Sequence, residues 1–161
     1  MVVTDEMVCF SLYAASRATT QLYRTLLDPW GLTYPQYLVL VALWREGEQT
    51  VSSLGDLLQL DSGTLSPLLR RMEQSGLVVR SRSSHDERVV TVAIGERGAR
   101  LRAELAHLPS RVAEAAGVRG GDAESLIRTL QEVTAAMHAA AASAPEPDTT
   151  SSDVATGATG R

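Results

Sequence analysis

The sequence predicts a mainly α-helical fold (α+β) in which a short β-rich stretch is set between helices. Three observations point there. Hydrophobic residues make up 44% of the 161 residues but aromatics only 4%, so Leu, Val and Ala dominate the apolar content and favour helix. Runs near both ends place apolar residues at alternating three- and four-residue steps, the helical period. Only Leu77 to Arg82 and Arg88 to Ile94 read as β, and they flank a polar turn. A chain of this length builds one core comfortably and two with difficulty.

Residues 5 to 28 are expected to form the first helix, with Cys9, Leu12, Ser16, Thr19, Tyr23 and Leu26 on one face. Asp28-Pro29 and Gly31 break it. Pro35, tolerated in a first turn, opens a second helix to about Arg45, and Gly47 ends that one. Val51 to Gln59 is a short helix expected to be capped by Ser52 or Ser53. Asp61-Ser62-Gly63 is then a turn into a helix reaching about Gln74 and stopped by Gly76. Because an interior proline deletes a backbone bond, Pro67 requires that helix to begin near Ser62 to Thr64. Two short helices across a tight, Gly-containing turn are a helix-turn-helix pattern. The β-rich pair that follows is expected as a two-stranded hairpin with Ser83 to Glu87 at its tip, a wing. Gly95 to Val118, interrupted at Pro109, and Asp122 to about Ala142 are further helices, the last with Leu126, Leu130, Val133 and Met137 in a stripe.

The expected organisation is one winged domain over residues 1–143, with the winged helix-turn-helix at about 48–95. Dimerisation helices are expected at about 5–28 and 95–142, because their apolar faces exceed what so small a domain can bury alone. Residues 144–161, rich in Pro, Ser, Thr, Ala and Gly, are expected to be a disordered tail.

The formal net charge is −4, and every one of the fifteen basic residues is Arg. Between Ser62 and Val90, Arg70, Arg71, Arg80, Arg82 and Arg88 outnumber Glu73, Asp86 and Glu87. A locally basic face on an acidic protein suits double-stranded DNA. Ser62, Thr64, Ser66, Pro67, Arg70 and Arg71 place short polar groups and then cations at the start of a helix able to enter a major groove. Arg80, Arg82 and Arg88 are candidates for phosphates or a minor groove. Asp86 is assigned to shaping the wing, since a bare carboxylate is repelled by phosphate. An Arg pair on a solvated surface helix is the plainer explanation, and the adjoining short helix and wing weigh against it.

Met1 is followed by Asp5 and Glu6 with no basic start and no long apolar run, so neither a secretory signal nor a membrane span is expected. One cysteine closes no internal disulfide, and His85, His107 and His138 are scattered, so no metal or other cofactor is expected. The expected compartment is the cytoplasm. An isolated cysteine on an apolar helix face is ordinarily a small buried hydrophobe. A redox role needs the thiolate. Asp5 and Glu6 work against that state, and Arg17 lies two turns away. Phenolic hydroxyls donating to sulfur would favour it, although core packing is the plainer reading of any tyrosine near the helix.

The run DSGTLSPLLRRMEQSGLVVRSRSSHDERVVTVAIGERG (Asp61 to Gly98) resembles the recognition helix and wing of MarR-family repressors, including an acidic-x-Arg wing pair at Asp86 and Arg88. VCFSLYAASRATTQLYRTLLDPWGLTYPQYLVLVALW (Val8 to Trp44) resembles the organic hydroperoxide resistance regulators within that family. The resemblance covers about residues 5 to 140. It implies a homodimeric repressor on a pseudopalindromic operator, not an enzyme. It also implies a peroxidatic cysteine at Cys9 that reacts with organic hydroperoxides, and partner tyrosines from the other subunit matching Tyr23 and Tyr34, with Tyr13 nearby. Having no second cysteine, the chain fits the one-cysteine type, in which a small cellular thiol traps the sulfenic acid or oxidation proceeds further. Two rivals stay open: a MarR-type repressor released by a small phenolic or apolar ligand, with Cys9 incidental, and a one-cysteine thiol peroxidase. The wing and the lack of a peroxidase motif around Cys9 oppose the latter.

Overall fold

The structure, a computed structural model, describes residues 7–82, 89–118 and 121–143. The order of elements is α1 (Val8–Leu27), a 3-10 turn (Asp28–Trp30), α2 (Tyr34–Glu46), β1 (Gln49–Thr50), α3 (Val51–Leu58), α4 (Ser62–Gln74), β2 (Val78–Arg82), β3 (Val90–Ile94), α5 (Glu96–Glu104), α6 (Leu108–Ala115) and α7 (Gly121–Ala142). Two compact units result, one ending at Ala116 and the other starting at Gly117, so α7 belongs to the second. The mainly helical winged architecture is the one expected.

Local chemistry accounts for the boundaries. Thr33 and Gln36 form a reciprocal capping box at the start of α2, with Thr33 N–H donating to Gln36 Oε1 at 2.8 Å. The cap of α3 is Thr50, not Ser52 or Ser53: its hydroxyl oxygen accepts from Ser53 N–H at 3.0 Å. Val51 is already helical, so the preceding residue must supply the cap. Asp61 caps α4, accepting from Thr64 N–H at 2.9 Å. The helix-turn-helix turn runs through Gln59, whose φ of 54° is left-handed, while Gly63 lies inside α4. The expected Gly-containing turn at Asp61–Gly63 is thus shifted toward Gln59. Pro67 is the sixth residue of α4; only the carbonyl of exposed Gly63 loses its intrahelical partner, and water can satisfy it.

The wing sheet has three strands, not two, in the order β1-β3-β2. β1 adds two residues antiparallel to β3, with Gln49 opposite Val92 and Thr50 opposite Thr91. In the β2–β3 pair Arg80 faces Val92 and Arg82 faces Val90. Gly76 ends α4 at φ 70°. Gly98, on α5, permits a backbone approach: a Cβ there would overlap the carbonyl oxygen of Leu77.

Leu27, Leu40, Leu54, Leu65, Leu69, Met72, Leu77, Val78, Val92, Leu105 and Leu108 are fully buried and join α1–α6 and the sheet around one core. Burying each such side chain contributes about 1.5–3 kcal/mol before entropy is counted. α1 enters this core only through its last turns, at Tyr23 and Leu27. Its start differs from expectation: Met7 is extended, so the helix begins at Val8. One guanidinium ties distant segments. Arg97 Nη2 donates to the Trp30 carbonyl at 2.9 Å and Nη1 to the Ser75 carbonyl at 3.4 Å, while Trp30 Nε1 donates to Glu104 at 2.7 Å.

Candidate nucleic-acid interface and thiol site

α4 divides cleanly by face. Leu65, Leu68, Leu69 and Met72 are buried, whereas Ser62, Thr64, Pro67, Arg70 and Arg71 are exposed and Ser66 is half-buried. Asp61 holds the entry: beyond the cap itself, Thr64 Oγ1 donates to its second oxygen at 2.8 Å. These Thr64 bonds hold the Asp61 carboxyl below its usual range. Asp61 therefore stays ionised, and the hydroxyl of Thr64 is oriented by it.

β2 runs alongside. Arg82 is exposed, and Arg80 is half-buried against α4. The Glu73 carboxylate accepts the main-chain N–H of Arg80 at 3.2 Å and lies 3.7 Å from its guanidinium. Among the described residues, Arg80 Nε is buried without a hydrogen-bond partner. Arg80 also lines an open cleft of about 380 Å³ with Thr50, Ser52 and Ser66, where α3, α4 and the sheet converge. Arg88 and Asp86 lie outside the described residues, as does His85.

Cys9 is the second residue of α1 and exposed, not a turn into the helix. Tyr23 and Tyr34 come together, their rings stacked at 4.1 Å between centroids and 15° apart. Sequence reasoning missed Tyr37, which packs on Tyr23 at 5.5 Å and presents its other side to the edge of Trp44 at 6.3 Å. The available signal was its spacing of three from Tyr34 on one helix. Burial, then the neighbouring Tyr34 and Tyr37, push the Tyr23 phenol up to about 12. Burial also raises Tyr34, and raises Tyr37 with help from Tyr34 and against Arg45. All three therefore remain protonated donors at neutral pH.

Tyr23 and Tyr34 do not meet the thiol within one chain. Cys9 and Tyr23 share a face of α1, yet at 1.5 Å per residue they stand about 21 Å apart along its axis. Tyr13 is exposed and engaged with Arg17, whose Nη1 donates to its hydroxyl at 3.1 Å. Among the described residues no hydrogen bond reaches Cys9 Sγ. Met7, Val8, Phe10 and Tyr13 around it are exposed as well. In the second unit, Leu126, Leu130 and Met137 of the expected stripe are exposed, together with Ile127.

Residues 21–105 match the model of the SarA/Rot transcriptional regulator family. The organic hydroperoxide resistance transcriptional regulator of Bacillus subtilis is 42% identical over 134 residues, covering 83% of this chain and 91% of that protein. Among solved structures, reduced AbfR bound to DNA is 35% identical with a TM-score of 0.69, covering 81% of this chain and 92% of that one. Overoxidised AbfR bound to DNA is 35% identical with a TM-score of 0.65, over 81% and 91%. These relatives are regulators and not enzymes, and the sequence, fold and helix-turn-helix face agree with them. The chain belongs to the MarR family of transcriptional regulators, on the branch that includes the organic hydroperoxide resistance regulators.

Proposed function

We propose that this protein is a cytoplasmic repressor that grips a pseudopalindromic operator as a homodimer and leaves it when Cys9 is oxidised by an organic hydroperoxide. The DNA-binding half rests on α4, whose apolar side is locked into the core while Ser62, Thr64, Pro67, Arg70 and Arg71 face outward beside Arg80 and Arg82. Arg88 completes the set by sequence. The sensing half rests on one observation: an exposed Cys9 stands about 21 Å along its own helix from the stacked Tyr23–Tyr34 pair, so only a second copy can bring those two phenols to the thiol. The apolar side chains exposed on α1 and on α7 give that second copy surfaces to cover.

The chemistry balances with reagents of known class. The Cys9 thiolate attacks the outer peroxide oxygen; the O–O bond breaks, an S–O bond forms, and the peroxide leaves as its alcohol after taking up a proton. A small cellular thiol then attacks the sulfenic sulfur, forming a mixed disulfide and releasing water. AbfR has been solved on DNA in an overoxidised form, so in that protein overoxidation and DNA binding coexist. We therefore assign release to the bulkier mixed disulfide. A group inserted at a packed interface rotates its two halves rather than stretching them. About 4 kcal/mol of lost complementarity lowers affinity about a thousandfold.

The test combines gel shift and mass spectrometry on one sample, using a duplex selected by the reduced wild-type protein from a random-sequence pool. Reduced protein should bind with a log–log salt slope near −5 or steeper. Cumene hydroperoxide plus a small thiol should release it in step with the Cys9 adduct, and Cys9→Ser should bind and ignore the oxidant. Release with Cys9 still a free thiol would sink the redox reading. One observation favours the ligand-released alternative in that event: a cleft of about 210 Å³ with Tyr37, Trp44, Arg45 and Arg102 among its walls suits a small aromatic anion.

A further inference from the structure

Glu73 stands where two electrostatic rules disfavour a carboxylate. It lies in the last turn of α4, at the negative end of the helix dipole, and on the side of the molecule that the DNA-binding reading turns toward phosphates. What accounts for it is Arg80. β2 is an edge strand, and the Arg80 N–H points away from β3, where it finds the Glu73 carboxylate at 3.2 Å. The second carboxylate oxygen faces the guanidinium at 3.7 Å. One side chain of α4 thus holds one residue of the wing at both its main chain and its head group.

We propose that Glu73 is a positioning residue for DNA binding, which fixes Arg80 and the root of the wing to the recognition helix, so that an acidic side chain on the DNA face strengthens binding. The inference rests on the DNA-binding reading above. An arginine on a free edge strand samples many rotamers, and ordering it on DNA costs entropy; held by Glu73 beside the cleft shared with Ser52 and Ser66, it is ordered beforehand. The guanidinium keeps further N–H groups for a phosphate, since a carboxylate at 3.7 Å occupies one edge.

The experiment turns on sign. Simple Coulomb repulsion predicts that Glu73→Ala tightens binding; positioning predicts that it weakens binding. On the duplex selected by the wild type, Glu73→Ala should bind about tenfold more weakly, with a salt slope shallower by about one per chain as the Arg80 contact is lost. Glu73→Gln, which keeps an oxygen acceptor for the Arg80 N–H, should recover most of that loss. In an Arg80→Ala background, Glu73→Ala should cost less than it does in the wild type, because only the hold on the main-chain N–H remains to be lost. The inference is overturned if Glu73→Ala binds as well as or better than wild type, if its slope is unchanged, if Gln fails as Ala does, or if the two substitutions add. If the wild type retains no duplex from the pool, the DNA-binding reading itself falls, and this inference with it.

Discussion

The α2–β3 segment and helix α1 use their apolar residues in opposite ways. In the first, Leu54, Leu65, Leu69, Met72, Leu77, Val78 and Val92 are all at or below 1% exposure. In α1 only Tyr23 and Leu27 are buried, both near its end, and Val8, Phe10 and Tyr13 stand in solvent. α7, in its own unit, buries nothing and exposes Leu126, Ile127, Leu130 and Met137. The reading segment completes its own packing, whereas α1 and α7 leave apolar side chains uncovered, which the proposed dimer would cover. On that reading, stability in the first region is a property of one chain and in the second depends on concentration.

Four substitutions and one control sharpen or break that contrast. Leu69→Ala, removing a fully buried side chain, should cost about 2–5 kcal/mol in denaturant unfolding, by an amount that does not change with protein concentration. Leu130→Asp should leave the helical signal of the reading segment intact. It should raise the dimer dissociation constant by about a hundredfold or more in sedimentation equilibrium, because a carboxylate would be buried at the contact. An unchanged association constant would remove α7 from the assembly.

Tyr23 tests the seam between the regions. Its phenol is raised from about 10 to about 12, so folding favours the protonated form; the stability this contributes is complete below pH 10 and is lost as pH climbs through 12. Chemical denaturation across that window should show a fall of about 2 kcal/mol or more that Tyr23→Phe reduces but does not abolish, since Tyr34 and Tyr37 are raised as well. The smallest effect belongs to Thr50→Ala, which should cost about 1 kcal/mol of unfolding free energy through the lost α3 cap, while Ser52→Ala costs little.

Legibility in the sequence followed the range of the forces involved. The helices of the reading segment were readable because their signals are local: Pro35 in a first turn, Asp61 before α4, Gly76 after it. β1 was not, since two residues show no alternation and it exists only by pairing with β3 far along the chain. Missing β1 also misplaced the α3 cap by two or three residues. The start of α1 was read too early because no capping side chain marks the point where the backbone turns extended at Met7. Tyr23 and Tyr34 were singled out through resemblance to known regulators; Tyr37 carried a signal in its spacing of three from Tyr34, whereas the role of Glu73 depends on packing that no spacing announces.

The Arg97 fork has a kinematic consequence. By holding the Trp30 and Ser75 carbonyls at once, it bolts the base of α1 to the far end of α4, and a lysine, with one ammonium, would not span both. The 18 residues from Cys9 to Leu26 then form a lever arm of about 27 Å whose pivot is fixed to the reading segment. In the proposed dimer, a sideways push of about 3 Å at Cys9 would swing such an arm by about 6°, and across half-sites about 34 Å apart that angle would displace one head from its groove by several ångströms. On the redox reading proposed above, the swing for a given push varies inversely with the length of α1, so lengthening that helix would blunt the response without touching the thiol.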